Sequence, residues 1–169
     1  FLSSCYPSKM NPSNGNFVQR HAKCVSALNN VTVIHVVSDP NTNELTTEYI
    51  SHSEHFNEVV IYIPKKNNPI SKYIAFRKAY SDAIAQLGKI DIVHLNVIIP
   101  IAHVALGIIK RLAIPFIITE HSTIHLESDQ NNYSFLDKIA IKKVLSRASY
   151  VCPVSEDLGK ALKEIYPFE

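Results

Sequence analysis

Strand-like and helix-like blocks of hydrophobic residues alternate along the chain from end to end. Phe1–Ser4 reads as a short apolar strand, and a polar loop follows from Tyr6 to Asn14. Phe17, His21, Val25 and Leu28 recur at helical spacing and predict a helix over Phe17–Leu28, stopped by the turn pair Asn29-Asn30. Val31–Val37 is β-branched and almost continuously apolar, as a strand buried on both faces should be. Glu58–Ile63 is a second such strand, ended by Pro64. Ser71–Leu87 predicts a long helix with Tyr73, Phe76, Tyr80, Ile84 and Leu87 on one side, closed by Gly88. The segment Asn41–Phe56 carries no clear period.

The second half repeats the rhythm. Ile90–Leu95 reads as a strand, Ile101–Leu112 as a helix and Pro115–Thr119 as a short apolar strand. A polar loop runs from Glu120 to Tyr133. Ser134 then caps a helix, with Asp137 three residues on completing a capping box. Ser149–Val154 is a strand, and Ser155 caps a last helix whose Lys160 and Lys163 suit its negative end. Strands alternating with helices in this way predict βαβ units: an α/β, Rossmann-like three-layer domain with a mainly parallel sheet, spanning 1–169 as a single domain.

Composition narrows the function classes. With 169 residues, 46% hydrophobic and 19% charged, the chain can bury a sizeable core. Seventeen basic residues against fifteen acidic ones leave a net charge of +2, which gives no reason to expect nucleic-acid binding. The four glycines, Gly15, Gly88, Gly107 and Gly159, are widely separated. That excludes the G-x-G-x-x-G, P-loop and G-x-S-x-G turns, each of which needs two or more glycines close together. Cys5, Cys24 and Cys152 form no C-x-x-C pair, so neither a disulfide framework nor a zinc knuckle is expected and the cytoplasm is the natural compartment. The opening residues lack the basic and long apolar regions of a signal peptide, and their apolar start without Met reads as a trimmed one. The most apolar stretch, Val97–Ile109, is interrupted by Pro100 and His103 and is too short to span a bilayer.

In an open parallel sheet, ligands bind beyond the carboxyl ends of the strands. The residues to weigh are therefore those following each strand. Asn14-Gly15 lies where a strand turns into a helix, and a glycine there lets backbone N–H groups approach an anion closely. The alternative is a turn that needs only a positive φ. Glu120-His121-Ser122 follows the Pro115–Thr119 strand, and a His at a strand tip can hydrogen-bond a substrate hydroxyl or phosphate. Asn96 follows another strand. His21 sits on the first helix, facing either the crevice or the helix–sheet seam. His35, His94 and His103 read as buried or half-buried, and His52 and His55 as solvated surface in a polar connection. His121 and His125, flanked by Glu120 and Glu127, admit a metal-dependent hydrolase, although a loop lacks the helix that H-E-x-x-H needs. Lys138, Lys142, Lys143 and Arg147 share one helix, and Lys65, Lys66, Lys72, Arg77 and Lys78 cluster earlier; such basic faces are either solvated or rest on an anionic bilayer.

Several of these segments together resemble one known family. Tyr6-Pro7, the run Pro12-Ser13-Asn14-Gly15-Asn16-Phe17-Val18, His21 and Leu28 resemble the opening of the amino-terminal domain of glycosyltransferase family 4. Asp91-Ile92-Val93-His94 resembles the family's D-[IV]-[IV]-H strand, Pro115–His121 its next strand ending in His, and Ser149–Leu162 the strand and Ser-capped helix that close the domain. The resemblance implies one half of a GT-B enzyme: a retaining, metal-independent glycosyltransferase with no cofactor beyond its nucleoside-diphosphate sugar donor. It implies a glycan or lipid-linked acceptor in cell-surface polysaccharide synthesis, and a cytoplasmic site of action with peripheral membrane contact. The carboxy-terminal donor-binding domain would lie beyond Glu169. Carried over to this sequence, His121 would be the catalytic-centre residue, Gly15 would approach the donor diphosphate, and Asn14, His21, Asn96, Glu120 and Ser122 would bind substrate. Two departures stand out: many members have paired glycines where this chain has Asn14-Gly15, and a second His where it has Asn96. A non-catalytic Rossmann-like binding domain is the alternative from another class.

Overall fold

The computed structural model describes residues 1–122, 133–166 and 168. The chain forms two compact units, Phe1–Lys89 and Ile90–Glu169.

In the first unit the elements run β1 (Leu2–Ser3), α1 (Asn16–Val25), β2 (Val31–Asp39), β3 (Thr46–Ser53), β4 (Phe56–Pro64) and α2 (Pro69–Ala85), with the strands in the order β3-β4-β2-β1. β1 and β4 both pair in parallel with β2, while β3 runs antiparallel along β4. The uninterrupted apolar runs of β2 and β4 are explained by burial on both faces. Val31, Val33, Phe56, Val60 and Tyr62 pack under Val18 and Ala22 of α1. The residues that alternate with them, among them Ile34, Val36, Val59, Ile61 and Ile63, are also buried, and α2 lies along β2 and β4.

Several predicted details shift. The buried stripe of α1 is Val18 and Ala22, one position on from the predicted one; Phe17 is partly exposed and Leu28 lies outside the helix at 92% exposure. β3 occupies the segment that showed no period. It is an edge strand whose residues are mostly exposed, so its sequence carries no apolar alternation. α2 starts earlier than predicted because Asn68 accepts from the N–H groups of Ile70 and Ser71, and Pro69 sits in the first turn. It also ends before Gly88. Gln86 and Leu87 donate to carbonyls three residues back, so the last turn tightens and needs no left-handed glycine. Tyr6, assigned by its sequence context to a polar loop, is wholly buried, and its hydroxyl donates to Glu58 Oε1 at 2.7 Å. His52 and His55 are exposed, as their polar context predicts, and each also has a partner. His52 Nε2 lies 3.0 Å from the buried Glu58 carboxylate with its ring stacked on Phe56, and His55 Nδ1 is 2.6 Å from Asn30 Oδ1.

In the second unit the elements are β5 (Val93–Asn96), α3 (Ala102–Leu112), β6 (Phe116–Glu120), α4 (Phe135–Leu145), β7 (Tyr150–Pro153) and α5 (Glu156–Ile165). β6 lies between β5 and β7 and pairs in parallel with both. β5 is shorter than predicted: Asp91 and Ile92 are exposed, and pairing begins where Val93 N–H donates to Pro115 O. The capping box of α4 is present, with Asp137 N–H donating to Ser134 Oγ and Ser134 N–H to Asp137 Oδ2. His103 Nε2 adds a contact at 2.8 Å to Asp137 Oδ1, and these partners hold the Asp137 carboxyl below its usual range. Ser155 caps α5 as expected. Among the described residues, no helix is long and apolar enough to cross a membrane.

Two measurements test this packing. Gly15 has φ +66°, and a Cβ there would lie 2.4 Å from Cys5 O, so Gly15→Ala should lower unfolding stability by at least about 2 kcal/mol in urea titration. His35 is buried with Nδ1 3.0 Å from Ser3 O; a carbonyl can only accept, so Nδ1 carries the hydrogen. Burial holds the His35 pKa below 6.5, against the opposing pull of that hydrogen bond. The unfolded chain therefore takes up the proton first, and stability from this residue is complete above about pH 6.5 and lost as the pH falls below it. His35→Asn keeps a donor for Ser3 O and removes the titration, so the fall in melting temperature between pH 7 and 5 should be shallower in the variant than in the parent.

Candidate functional site

Each unit gathers polar residues at the carboxyl ends of its parallel strands. In the first unit, Gly15 begins α1 in the left-handed conformation and its carbonyl accepts from Val18 and Gln19. The space a side chain would need is filled by the chain's own backbone at Cys5 and Tyr6, so glycine is required here for both its torsion and its close approach. Asn14 is exposed and donates its N–H to Asn11 O, within a loop that Ser8 and Asn11 close by mutual backbone bonds. Lys9 pins that loop: its N–H donates to Tyr62 Oη at 3.1 Å, its ammonium lies 3.9 Å from the Tyr62 ring centroid, and it pairs with the buried Asp39 at 3.6 Å. Ser4, at the end of β1, has a buried hydroxyl with no partner among the described residues. His21 is not brought to this rim. Six residues into the sequence beyond Gly15, about 9 Å along the helix axis, its ring packs edge-on against Phe1 at 5.5 Å, at the amino end of β1. Burial lowers its pKa.

In the second unit, Asn96, Glu120, His121 and Ser122 come together at the ends of β5 and β6. Asn96 and Thr119 are partners across these strands, so Asn96 and Thr119 lie on one face of the sheet. His94 shares that face, and its Nε2 lies 2.7 Å from Thr119 Oγ1. Asn96 is fully buried, and neither Oδ1 nor Nδ2 has a partner among the described residues. The next residue, Val97, has φ +60°, a conformation that a β-branched side chain rarely adopts.

Glu120 ties this rim together. Its side chain has no solvent exposure. Oε2 accepts from Ile98 N–H at 2.9 Å, and Oε1 accepts from His121 N–H at 2.9 Å and Ser122 N–H at 2.8 Å. The carboxylate thus joins the loop after β5 to the loop after β6. Burial raises its pKa, and the three backbone donors oppose that shift. Because its oxygens are committed to main chain, Glu120 stands behind His121 and Ser122 and holds their backbone. Tyr133 is close enough to feel Glu120, Asp137 and Tyr166; burial first, then those charges, push its hydroxyl up to about 12. His121 itself is half-buried.

The strand-tip rule located Asn96, Glu120, His121 and Ser122. It missed Thr119 and His94, whose polar row was legible as alternation within the strands, and the contact of His103 with Asp137, which joins α3 to α4. His125 and Glu127, the further residues of a hydrolase-type metal site, lie outside the described residues. Among the described residues, no group of three or more His, Cys, Asp or Glu could hold a metal ion.

Comparison with known proteins gives this geometry a family. No curated protein matches the chain. The fold is similar to two solved structures of sucrose-phosphate synthase from Thermosynechococcus elongatus, each at 19% identity and TM-score 0.66. One likeness covers 98% of this chain and 81% of that chain, the other 89% and 39%. At such identity the likeness is one of fold. The family model described as Glycosyltransferase Family 4 matches residues 15–169, from the glycine that starts α1 to the last residue. The chain therefore belongs to glycosyltransferase family 4, and its fold is that of a GT-B glycosyltransferase domain.

Proposed function

We propose that the full-length protein is a retaining glycosyltransferase. It moves a hexosyl unit from a nucleoside-diphosphate sugar to a hydroxyl of a glycan or lipid-linked acceptor in cell-surface polysaccharide synthesis. Residues 1–169 form its amino-terminal, acceptor-side domain, and the donor is held mainly by a carboxy-terminal domain. The observation that supports this most directly is the Glu120 anchor, which presents His121 and Ser122 at the strand ends of a chain that belongs to the family.

The chemistry follows from the groups available. Breaking the bond from sugar to diphosphate develops negative charge on the leaving group, and preorganised donors lower that barrier. The amino terminus of α1, opened by Gly15, offers backbone N–H groups and the positive end of the helix dipole to such a charge, with Asn14 beside it. His121 orients or polarises groups at the sugar near the reacting centre. Asn96 and Ser122 contact substrate hydroxyls. Glu120 acts one step removed, as a positioning residue for the His121-Ser122 backbone. A retaining displacement does not require a side-chain base, so none is assigned. The donor carries its own leaving group, and neither a further cofactor nor a metal is invoked. A lipid-linked acceptor would bring the enzyme to the cytoplasmic face of the membrane, where the exposed Lys142, Lys143 and Arg147 suit an anionic surface.

Sugar-transfer assays with a panel of nucleoside-diphosphate hexoses should show turnover by the full-length protein and none by residues 1–169 alone. His121→Ala in the full-length protein should lower kcat/KM by at least about 100-fold without moving the melting temperature; an unchanged rate would make this a binding domain only. Glu120→Gln replaces one carboxylate oxygen with a second donor that faces a backbone N–H. It should cost about 1–3 kcal/mol in urea unfolding, and it should lower kcat together with stability.

A further inference from the structure

Asn96 is a chemical anomaly. A side-chain amide has a carbonyl that needs donors and an NH2 that needs acceptors, and burying both without partners is strongly unfavourable. Here both atoms are buried and unpartnered among the described residues, at the end of β5, on the same face as the His94–Thr119 pair. No hydrogen bond joins Asn96 to Thr119, whose hydroxyl lies against His94. Nor does one join it to Glu120, whose oxygens accept from the backbone of Ile98, His121 and Ser122. The left-handed Val97 directly after Asn96 adds backbone strain at the same point. An unmet amide and a strained torsion side by side mark a place shaped for a bound group rather than for the empty fold.

Resting on the sugar-transfer function proposed above, we infer that Asn96 selects a neutral hydroxyl pair of the sugar substrate, not a phosphate. The chemistry of the two orphan atoms decides this. Oδ1 must receive a hydrogen and Nδ2 must give one, so the complement both donates and accepts. Adjacent hydroxyls on a pyranose ring do this: one donates to Oδ1 while the oxygen of its neighbour accepts from Nδ2. A phosphate monoester dianion has no O–H to give and would leave Oδ1 unmet; inorganic phosphate keeps an O–H, but like the ester it would bring a further negative charge near the Glu120 carboxylate. A neutral amide also makes the contact independent of pH, unlike the titrating histidine that the resemblance places here in many relatives.

The test uses the 169-residue chain with D-glucose and D-galactose as neutral probes and glucose 6-phosphate and inorganic phosphate as anionic ones. Saturation-transfer NMR and thermal unfolding should detect a neutral hexose. Asn96→Leu, of similar volume, and Asn96→Asp, which lacks the NH2 donor, should each weaken that binding by at least about tenfold, the size of one lost hydrogen bond. Without sugar, Asn96→Leu should melt at or above the parent temperature, because an unmet amide has been removed. Hexose binding undiminished in Asn96→Leu, a lower melting temperature for that variant, binding of the phosphates alone, or no hexose binding by the parent would each overturn the inference. Assays of the full-length protein separate the two levels. Transfer by Asn96→Leu at the parent KM overturns the role of Asn96 and leaves the transferase function standing; absence of transfer by the parent overturns the function itself.

Discussion

A carboxylate withdrawn from water is tolerable only where donors surround it, and the second unit satisfies that demand at Glu120 with backbone alone. The donors come from two loops separated in sequence, so meeting the charge and joining the loops are one event. Everything of chemical interest at that rim hangs from it: the backbone of His121 and Ser122 on one side, and the turn through Val97 and Ile98 that follows Asn96 on the other. A side-chain partner could swing away, whereas N–H groups committed to a buried anion hold their peptide planes in place.

The first unit uses the same device with different partners. Glu58, buried in β4, receives the hydroxyl of Tyr6 and the amide of Gln19, and His52 approaches the same oxygen. These come from the loop after β1, from α1 and from β3, so one carboxylate gathers three elements around β4. The Tyr6 hydroxyl is correspondingly hard to ionise, first through burial and then through its bond to Glu58. In both units a glutamate on a central strand converts the cost of burying charge into the placement of loops.

How much of this was legible in the sequence depended on where each signal came from. β2, β4 and β6 were readable because burial leaves strongly apolar runs, and the caps at Ser134 and Ser155 because a local pattern encodes a local bond. β3 was not, since an edge strand exposed along most of its length needs no apolar alternation, and only its pairing with β4 defines it. The face of α1 was misjudged because Val18 and Ala22 are smaller than Phe17, and size misleads when the helix must approach the sheet closely. At the site, strand tips were identifiable by rule. The unmet state of Asn96 and the backbone role of Glu120 were not, because the first depends on an absence of partners and the second on Ile98, 22 positions away.

The close seat of Gly15 against the carbonyl of Cys5 divides the loop after β1 into two regimes of evolutionary freedom. Its inner end is seated against the Cys5–Tyr6 peptide just beyond the first strand and admits no bulk. Its outer arc from Pro12 to Asn14 is exposed. Side chains along the arc can thus change in size and charge without disturbing the seat of Gly15.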